Sequence, residues 1–167
     1  MINEILAYLT QRNDYIIWAG YAQFAHLGIK PSPDVDIYVK SEDSLKEISK
    51  DFVEKGWKVI HQPKAISALW DKLEKNGVTF DIMYSEPASI FFEDRVLLKI
   101  NENEVLCISK EALFLTKMGA LTSKGRVEDK RKRDLNAILQ LREIIDPEKV
   151  KEIVKRLPDS YWKIGWV

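Results

Sequence analysis

"SPDVDIYV", residues 32–39, sets two carboxylates one residue apart at the head of an apolar run. Side chains two apart in an extended strand project from the same face. Asp34 and Asp36 therefore point together, while Val35 and Ile37 turn to the opposite side, toward a core. Two like charges at that separation repel and raise a pKa unless a cation or strong donors answer them. A divalent ion resolves the conflict: a magnesium-type cation takes oxygen ligands and keeps several waters, so two strand carboxylates beside phosphate oxygens suffice. The plain alternative is a solvated strand start in which Asp34 serves a turn. Asp81 bears on the choice, as a third carboxylate inside the apolar, alternating "VTFDIMY" of residues 78–84, where an unpaired charge is expensive. Alone it could be a salt-bridged structural residue; if its strand neighbours the first, three carboxylates converge on one edge of a sheet.

The 167 residues, 46% apolar and 31% charged, can bury a substantial core, and the length favours one domain. The 26 basic and 26 acidic residues balance, so an anion site needs local clustering. Cys107 is the single cysteine and sits in the apolar "EVLCI" without an internal partner, so core packing and a reducing, cytoplasmic compartment are expected. Apolar residues never run to eighteen in a row and the N-terminal stretch turns polar early, which predicts neither a membrane span nor a leader.

Periodicity outlines an α+β chain: a mixed β-sheet with flanking helices over residues 1–108, and a C-terminal helical segment over 109–167 packed on it within the same domain. Ile2, Ile5, Leu6 and Leu9 have helical spacing. "DYIIWAG" reads as a short strand turning at Gly20 into a helix that Gly28 ends. Strand Val35–Val39, a helix over 43–54 closed by Gly56, and a strand in "WKVI" follow. Ile66, Leu69, Trp70 and Leu73 recur at i, i+3, i+4 and i+7, which predicts an amphipathic helix over 64–75 stopped by Asn76-Gly77, with Trp70 in the core. A strand over 78–84 and a hairpin of 95–100 with 104–108 complete the mixed part. Helices are expected over 110–121, 127–142 and 147–157.

"WAGYAQFAHLGIKPSPDVDIYV", residues 18–39, followed by "VTFDIMY", resembles the nucleotidyltransferase superfamily in its branch of minimal and AbiEii-like proteins. Such proteins carry a glycine with a second small residue opening a helix, then a paired-aspartate strand, then a third aspartate on a neighbouring strand. By that resemblance Ala19 and Gly20 match the small pair, Asp34 and Asp36 the metal-binding pair, and Asp81 the third catalytic and metal-binding carboxylate. Residues 109–139, "SKEALFLTKMGALTSKGRVEDKRKRDLNAIL", look like the helical tail of many AbiEii-like members, with Lys117 and the run Lys132, Arg133, Asp134 aligned. The resemblance spans residues 16–139. It implies transfer of a nucleoside monophosphate from an NTP to a hydroxyl with release of pyrophosphate, and magnesium in a two-ion arrangement that manganese can also fill. The acceptor stays open between RNA, a protein hydroxyl and a small molecule, and the branch brings an antitoxin partner into view. Ala19 stands where glycine is usual, and Tyr21 where the polymerase-like enzymes often carry a serine that contacts the triphosphate. Ala19 permits a close turn with negative φ, and Gly20 keeps full freedom. Tyr21 keeps a hydroxyl on a longer arm. A catalytically inactive nucleotide- or nucleic-acid-binding protein of the same fold would show these departures.

Phosphate needs donors. The helix starting near Gly20 would offer free N–H groups and the positive end of its dipole, although "AG" before an aromatic residue is by itself an ordinary helix start. Residues 124–134, "KGRVEDKRKRD", hold six Lys or Arg against three acids. The run is either a solvated helix face or, with Leu135, Ile138 and Leu139 anchoring the other side, a set of cations facing a groove. Arg126 or Arg133 could then give bidentate phosphate contacts, with Arg131 on the same groove. Lys117, in an apolar helix, must find an exit or a partner. A polynucleotide could use the same surface through salt-sensitive contacts. His26 and His61 lack a zinc-ligand pattern. The closing "YWKIGWV", residues 161–167, is expected to pack on the domain, with a homodimer surface as the alternative.

Overall fold

Two compact units make up the chain, Met1–Ile108 and Ser109–Val167, in a computed structural model that describes residues 1–31, 33–61, 64, 65, 68–123 and 125–158. Ser32, Ile66, Lys124 and the aromatic stretch 161–167 lie outside the described residues. The first unit contains helices α1 (Ile2–Leu9), α2 (Ala19–Leu27) and α3 (Glu42–Glu54). Its strands are β1 (Tyr15–Ile17), β2 (Asp34–Val39), β3 (Lys58–His61), β4 (Lys64–Ala65), β5 (Ala68–Lys75), β6 (Val78–Tyr84), β7 (Val96–Ile100) and β8 (Asn103–Cys107). They form one mixed sheet in the order β3-β5-β6-β2-β1-β8-β7, with β4 also beside β5. A 3₁₀ stretch, Glu86–Phe92, follows β6 and buries Phe91.

One face of the sheet is apolar because alternate residues of its central strands are apolar. Val35, Ile37, Phe80, Ile82 and Leu73 are fully buried. Helix α3 lies against them: the Phe52 ring stands 4.8 Å from Phe80, and the Ser49 hydroxyl donates to buried Asp71 Oδ2 at 2.6 Å. The Ser41 hydroxyl starts that helix by accepting from the Ser44 N–H, with Glu42 and Asp43 in the first turn favouring the positive end of its dipole. Tyr8 joins α1 to α3, its ring edge-on to Phe52 at 5.0 Å and its hydroxyl donating to Asp51. Cys107 is in the core, where burial pushes its thiol up to about 12.

The helix expected over 64–75 does not form; Ala68–Lys75 is strand β5. Asn76 and Gly77 have φ of 53° and 76°, the left-handed pair that a tight type I′ hairpin turn requires. Lys75 pairs with Val78 across that turn, and β5 then runs antiparallel to β6 as far as Leu69 and Tyr84. The Gly77 N–H donates to Glu74 Oε1 at 2.8 Å. Leu69, Trp70 and Leu73 do fit a helical spacing. Pairing with β6 imposes a period of two instead, turning Asp71 and Leu73 toward α3 and Trp70 and Lys72 to the other face.

The second unit is helical: α4 (Lys110–Thr122), α5 (Glu128–Arg142) and α6 (Pro147–Arg156). Ser109 caps α4 and Asp146 caps α6 with Pro147 in its first turn. Buried Glu111 accepts from the Asp146 N–H at 3.0 Å, holding the start of α6 to α4. Asp134, which is 1% exposed, links α4 and α5. Lys117 Nζ donates to its Oδ1 at 3.0 Å, and Arg126 donates from Nε to Oδ2 at 2.8 Å, with Nη2 in ion-pair contact 2.6 Å from the same oxygen. Arg131 spans the same connection, donating from Nε to the Arg126 carbonyl and from Nη2 to the Ser123 carbonyl. Lys132 and Arg133 are exposed. Among the described residues no helix is long and apolar enough to cross a membrane.

Helix α2 begins at Ala19 with φ of +52°, not with the negative φ that an alanine would choose. A β-carbon in the left-handed region crowds the following carbonyl at a cost of roughly 1–2 kcal/mol. Ala19→Gly should therefore stabilise the protein by roughly 0.5–1 kcal/mol, once the greater freedom of glycine in the unfolded chain is subtracted. Ala19→Val should destabilise it. A lower melting temperature for the glycine variant would mean that the alanine is unstrained. In the helical unit, Asp134→Asn should lower stability by about 3 kcal/mol in urea unfolding, because it leaves two cations short of a buried partner. Arg133→Ala should stay within about 0.5 kcal/mol of the parent. The reverse ranking would show that Asp134 is not what joins α4 to α5.

Candidate active site

Strand β6 lies between β2 and β5, and its pairings bring the sequence-predicted carboxylates together. Against parallel β2, Asp81 stands opposite Asp36 and Thr79 opposite Asp34. Against antiparallel β5, Asp81 stands opposite Lys72 and Thr79 opposite Glu74. Residues paired across strands share a face, so two rows cross the sheet side by side: Asp36, Asp81, Lys72, and Asp34, Thr79, Glu74. Val35 and Ile37 are buried on the far side as expected. The strand of the third aspartate does neighbour the strand of the pair.

The three carboxylates differ in their surroundings. Thr79 Oγ1 donates to Asp34 Oδ1 at 2.9 Å, fixing one oxygen of the first aspartate. Asp81 is 3% exposed and has a donor on each oxygen: Trp70 Nε1 at 2.7 Å from Oδ1, and Lys72 Nζ at 2.9 Å from Oδ2. The Lys72 side chain is 28% exposed, so its ammonium neutralises a carboxylate far more buried than itself. Trp70 and Lys72 were missed as site residues because residues 64–75 read as a helix, with Trp70 in its core. The signal that could have found them is Asn76-Gly77, a hairpin turn that places the residues before it alongside Asp81.

The start of α2 adjoins the carboxylate rows. The Trp18 N–H donates to the Asp36 carbonyl at 3.1 Å, pinning the Ala19-Gly20 turn to β2 at the level of the paired aspartates. Serine side chains cap α3 and α4, whereas α2 has no side-chain cap, so the first-turn N–H groups of Ala19, Gly20 and Tyr21 receive no acceptor from Trp18. Tyr21 is buried, and burial together with the nearby Asp34 carboxylate raises its phenol pKa. Its hydroxyl therefore stays protonated near Asp34 and can act as a donor. At the other end of α2, His26 Nε2 lies 2.9 Å from the Ile108 carbonyl oxygen, a tie at the helix end.

Among the described residues no three His, Cys, Asp or Glu side chains are gathered closely enough to hold a metal ion by themselves. Asp34 and Asp36 nonetheless fit an oxygen-preferring ion that retains waters and shares phosphate oxygens, since that ion needs only two protein carboxylates. Of the cations predicted to meet nucleotide, Lys117 and Arg126 hold Asp134, Arg131 holds backbone carbonyls, and Arg133 is exposed, all within the helical unit.

No family model and no curated protein matches the chain. Solved structures do. An antigenic nucleotidyltransferase-like protein from Paracoccidioides brasiliensis is 16% identical with a TM-score of 0.54, over 97% of this chain and 92% of that one. The lincosamide antibiotic adenylyltransferase LnuA, solved with lincomycin bound, is 18% identical with a TM-score of 0.58, over 86% of this chain and 96% of that one. What is shared at such identities is the architecture: the chain has the nucleotidyltransferase fold.

Proposed function

We propose that the chain transfers a nucleoside monophosphate from an NTP to a hydroxyl acceptor. The observation that supports this most is the register that sets Asp34, Asp36 and Asp81 on one face, with the uncapped start of α2 tied to β2 at Asp36. Asp34 and Asp36 would hold magnesium, or manganese in its place, with Thr79 orienting Asp34. When bound, that ion supplies charge stabilisation on the phosphate and leaving oxygens. The first-turn N–H groups of α2 at Ala19, Gly20 and Tyr21 would receive phosphate oxygens. The acceptor oxygen would bond to the α-phosphorus as the bond from that phosphorus to the β-bridging oxygen breaks. Pyrophosphate leaves with the electron pair, and the hydroxyl proton passes to Asp81 or to water. The superfamily resemblance carries a two-ion arrangement, with Asp81 as a ligand of the catalytic ion.

Several finer assignments belong to the same proposal. The AbiEii-like branch is favoured by residues 109–139, and an antitoxin partner comes with it. Lys117, Arg126, Arg131 and Arg133 are carried as phosphate contacts on the resemblance; of these, Arg133 has the exposed side chain. A compact hydroxyl compound is the acceptor class favoured by the likeness to a lincosamide adenylyltransferase, ahead of RNA or a protein hydroxyl. Use of NTP and the single buried Cys107 suit the cytoplasm. The second reading is a nucleotide-binding protein without transfer. Tyr21 favours it, because a buried phenol beside Asp34 stands where related enzymes use a short hydroxyl.

Asp36→Asn distinguishes these readings. It keeps the volume and removes a charge that the ion needs, so label transfer from an α-labelled NTP to a small-molecule acceptor should fall by at least about a hundredfold. The metal-free variant should melt at or above the parent temperature, because repulsion with Asp34 is relieved, and should lose the rise in melting temperature given by magnesium and NTP. A binding protein would show that rise in the parent with no label transfer to RNA, protein or small molecules. An early-melting variant that keeps the full rise would make Asp36 a structural residue.

A further inference from the structure

We infer that the Lys72 ammonium takes the place of a second metal ion at Asp81, so that this face accepts a single divalent cation, at Asp34 and Asp36. The inference rests on the transfer reading and departs from the two-ion arrangement of the superfamily. Lys72 comes from β5, on the far side of Asp81 from Asp36, and its Nζ lies 2.9 Å from Oδ2. Trp70, two residues earlier on the same strand, donates to Oδ1 at 2.7 Å and turns the carboxylate toward β5. Both oxygens of Asp81 thus meet donors from one strand, which is not the strand that carries the paired aspartates.

Charge points the same way. Asp34, Asp36 and Asp81 contribute three negative charges, with Glu74 a fourth in the neighbouring row, and the positive charge that the strand pairings set among them, Lys72, already lies on Asp81. A second divalent ion at Asp81 would have to settle beside an ammonium on an almost wholly buried carboxylate. Like charges at that range repel strongly where water is scarce. A lysine ammonium also has three donors, and Asp81 takes one of them. The others can meet a phosphate oxygen, which a metal at that position would otherwise do. The Lys72 side chain is partly exposed.

The test is a manganese titration of the full chain without nucleotide, read by loss of the paramagnetic resonance signal of free Mn2+. The parent should bind one ion per chain, and Asp36→Asn should weaken that ion by at least roughly tenfold. Asp81→Asn should bind one ion with the parent's affinity, because Asp81 is not a ligand. Lys72→Met should bind two. Because Lys72→Met leaves a buried carboxylate without its cation, the double variant Lys72→Met/Asp81→Asn keeps the experiment sound: it should fold and bind one ion. Two ions on the parent, or loss of the first ion in Asp81→Asn, would overturn the role of Lys72 and leave the transfer reading standing. No ion on the parent would overturn the metal-dependent reading, and this inference with it.

Discussion

Strand β6 is bonded along both edges, parallel to β2 and antiparallel to β5, and the placement of every candidate catalytic group in the sheet follows from that double pairing. Slipping β6 by one residue would turn Asp81 into the apolar face and expel Phe80 and Ile82 from it. Burying each of those side chains is worth about 2 kcal/mol, so α3 and the core beneath it enforce the alignment of Asp36, Asp81 and Lys72. The chemistry on one face is kept in register by apolar packing on the other. Ser49 and Asp71 add a polar tie on the packed side, where a buried carboxylate meets a hydroxyl from the covering helix.

Buried carboxylates recur in this chain, and each meets a matched donor from a neighbouring element. Asp134 takes a lysine and an arginine, an arrangement suited to clamping two helices. Asp81 takes one lysine and one indole N–H, which orients it with less positive charge. The two solutions differ in what they leave over. At Asp134 the arginine makes one hydrogen bond and one ion-pair contact, both to the same oxygen. At Asp81 the ammonium gives one of its three donors to the carboxylate, on a side chain that is partly exposed.

Much of the fold was legible because short apolar runs mark β2, β6 and the hairpin of β7 and β8, and because Gly28 and Gly56 punctuate the helices. The carboxylate row was legible too, since aspartates in apolar strands are conspicuous and their spacing fixes the face on which they stand. Strand β5 was not. "ALWDKLEK" carries Leu69, Trp70 and Leu73 at helical offsets, while its period-two pattern is blurred by a buried Asp71 on the apolar side. Periodicity cannot show that Asp71 has a serine waiting on α3; that pairing belongs to tertiary structure. Missing β5 meant missing Lys72 and Trp70, and with them the electrostatic state of Asp81. The left-handed backbone at Ala19 was equally hidden, because a residue's identity makes that conformation costly without forbidding it. The cations of α4 and α5 were visible as a basic run. Their shared attachment to Asp134 depends on two helices folding against each other, which spacing along one helix does not reveal.

The turn that closes β5 onto β6 also bears on how long the molecule stays intact. Asparagine followed by glycine is the sequence most given to spontaneous deamidation, because the unhindered glycine nitrogen attacks the asparagine side chain and forms a cyclic imide. Reopening of that imide mostly leaves isoaspartate, which adds a backbone atom to the turn. A longer connection would loosen the hairpin that brings Lys72 opposite Asp81. The attacking nitrogen would be that of Gly77, and its N–H is held by Glu74 Oε1 at 2.8 Å in an exposed turn. That hydrogen bond engages the nitrogen the reaction needs, so the ageing of the turn is tied to a half-buried glutamate rather than to the carboxylates of β2 and β6.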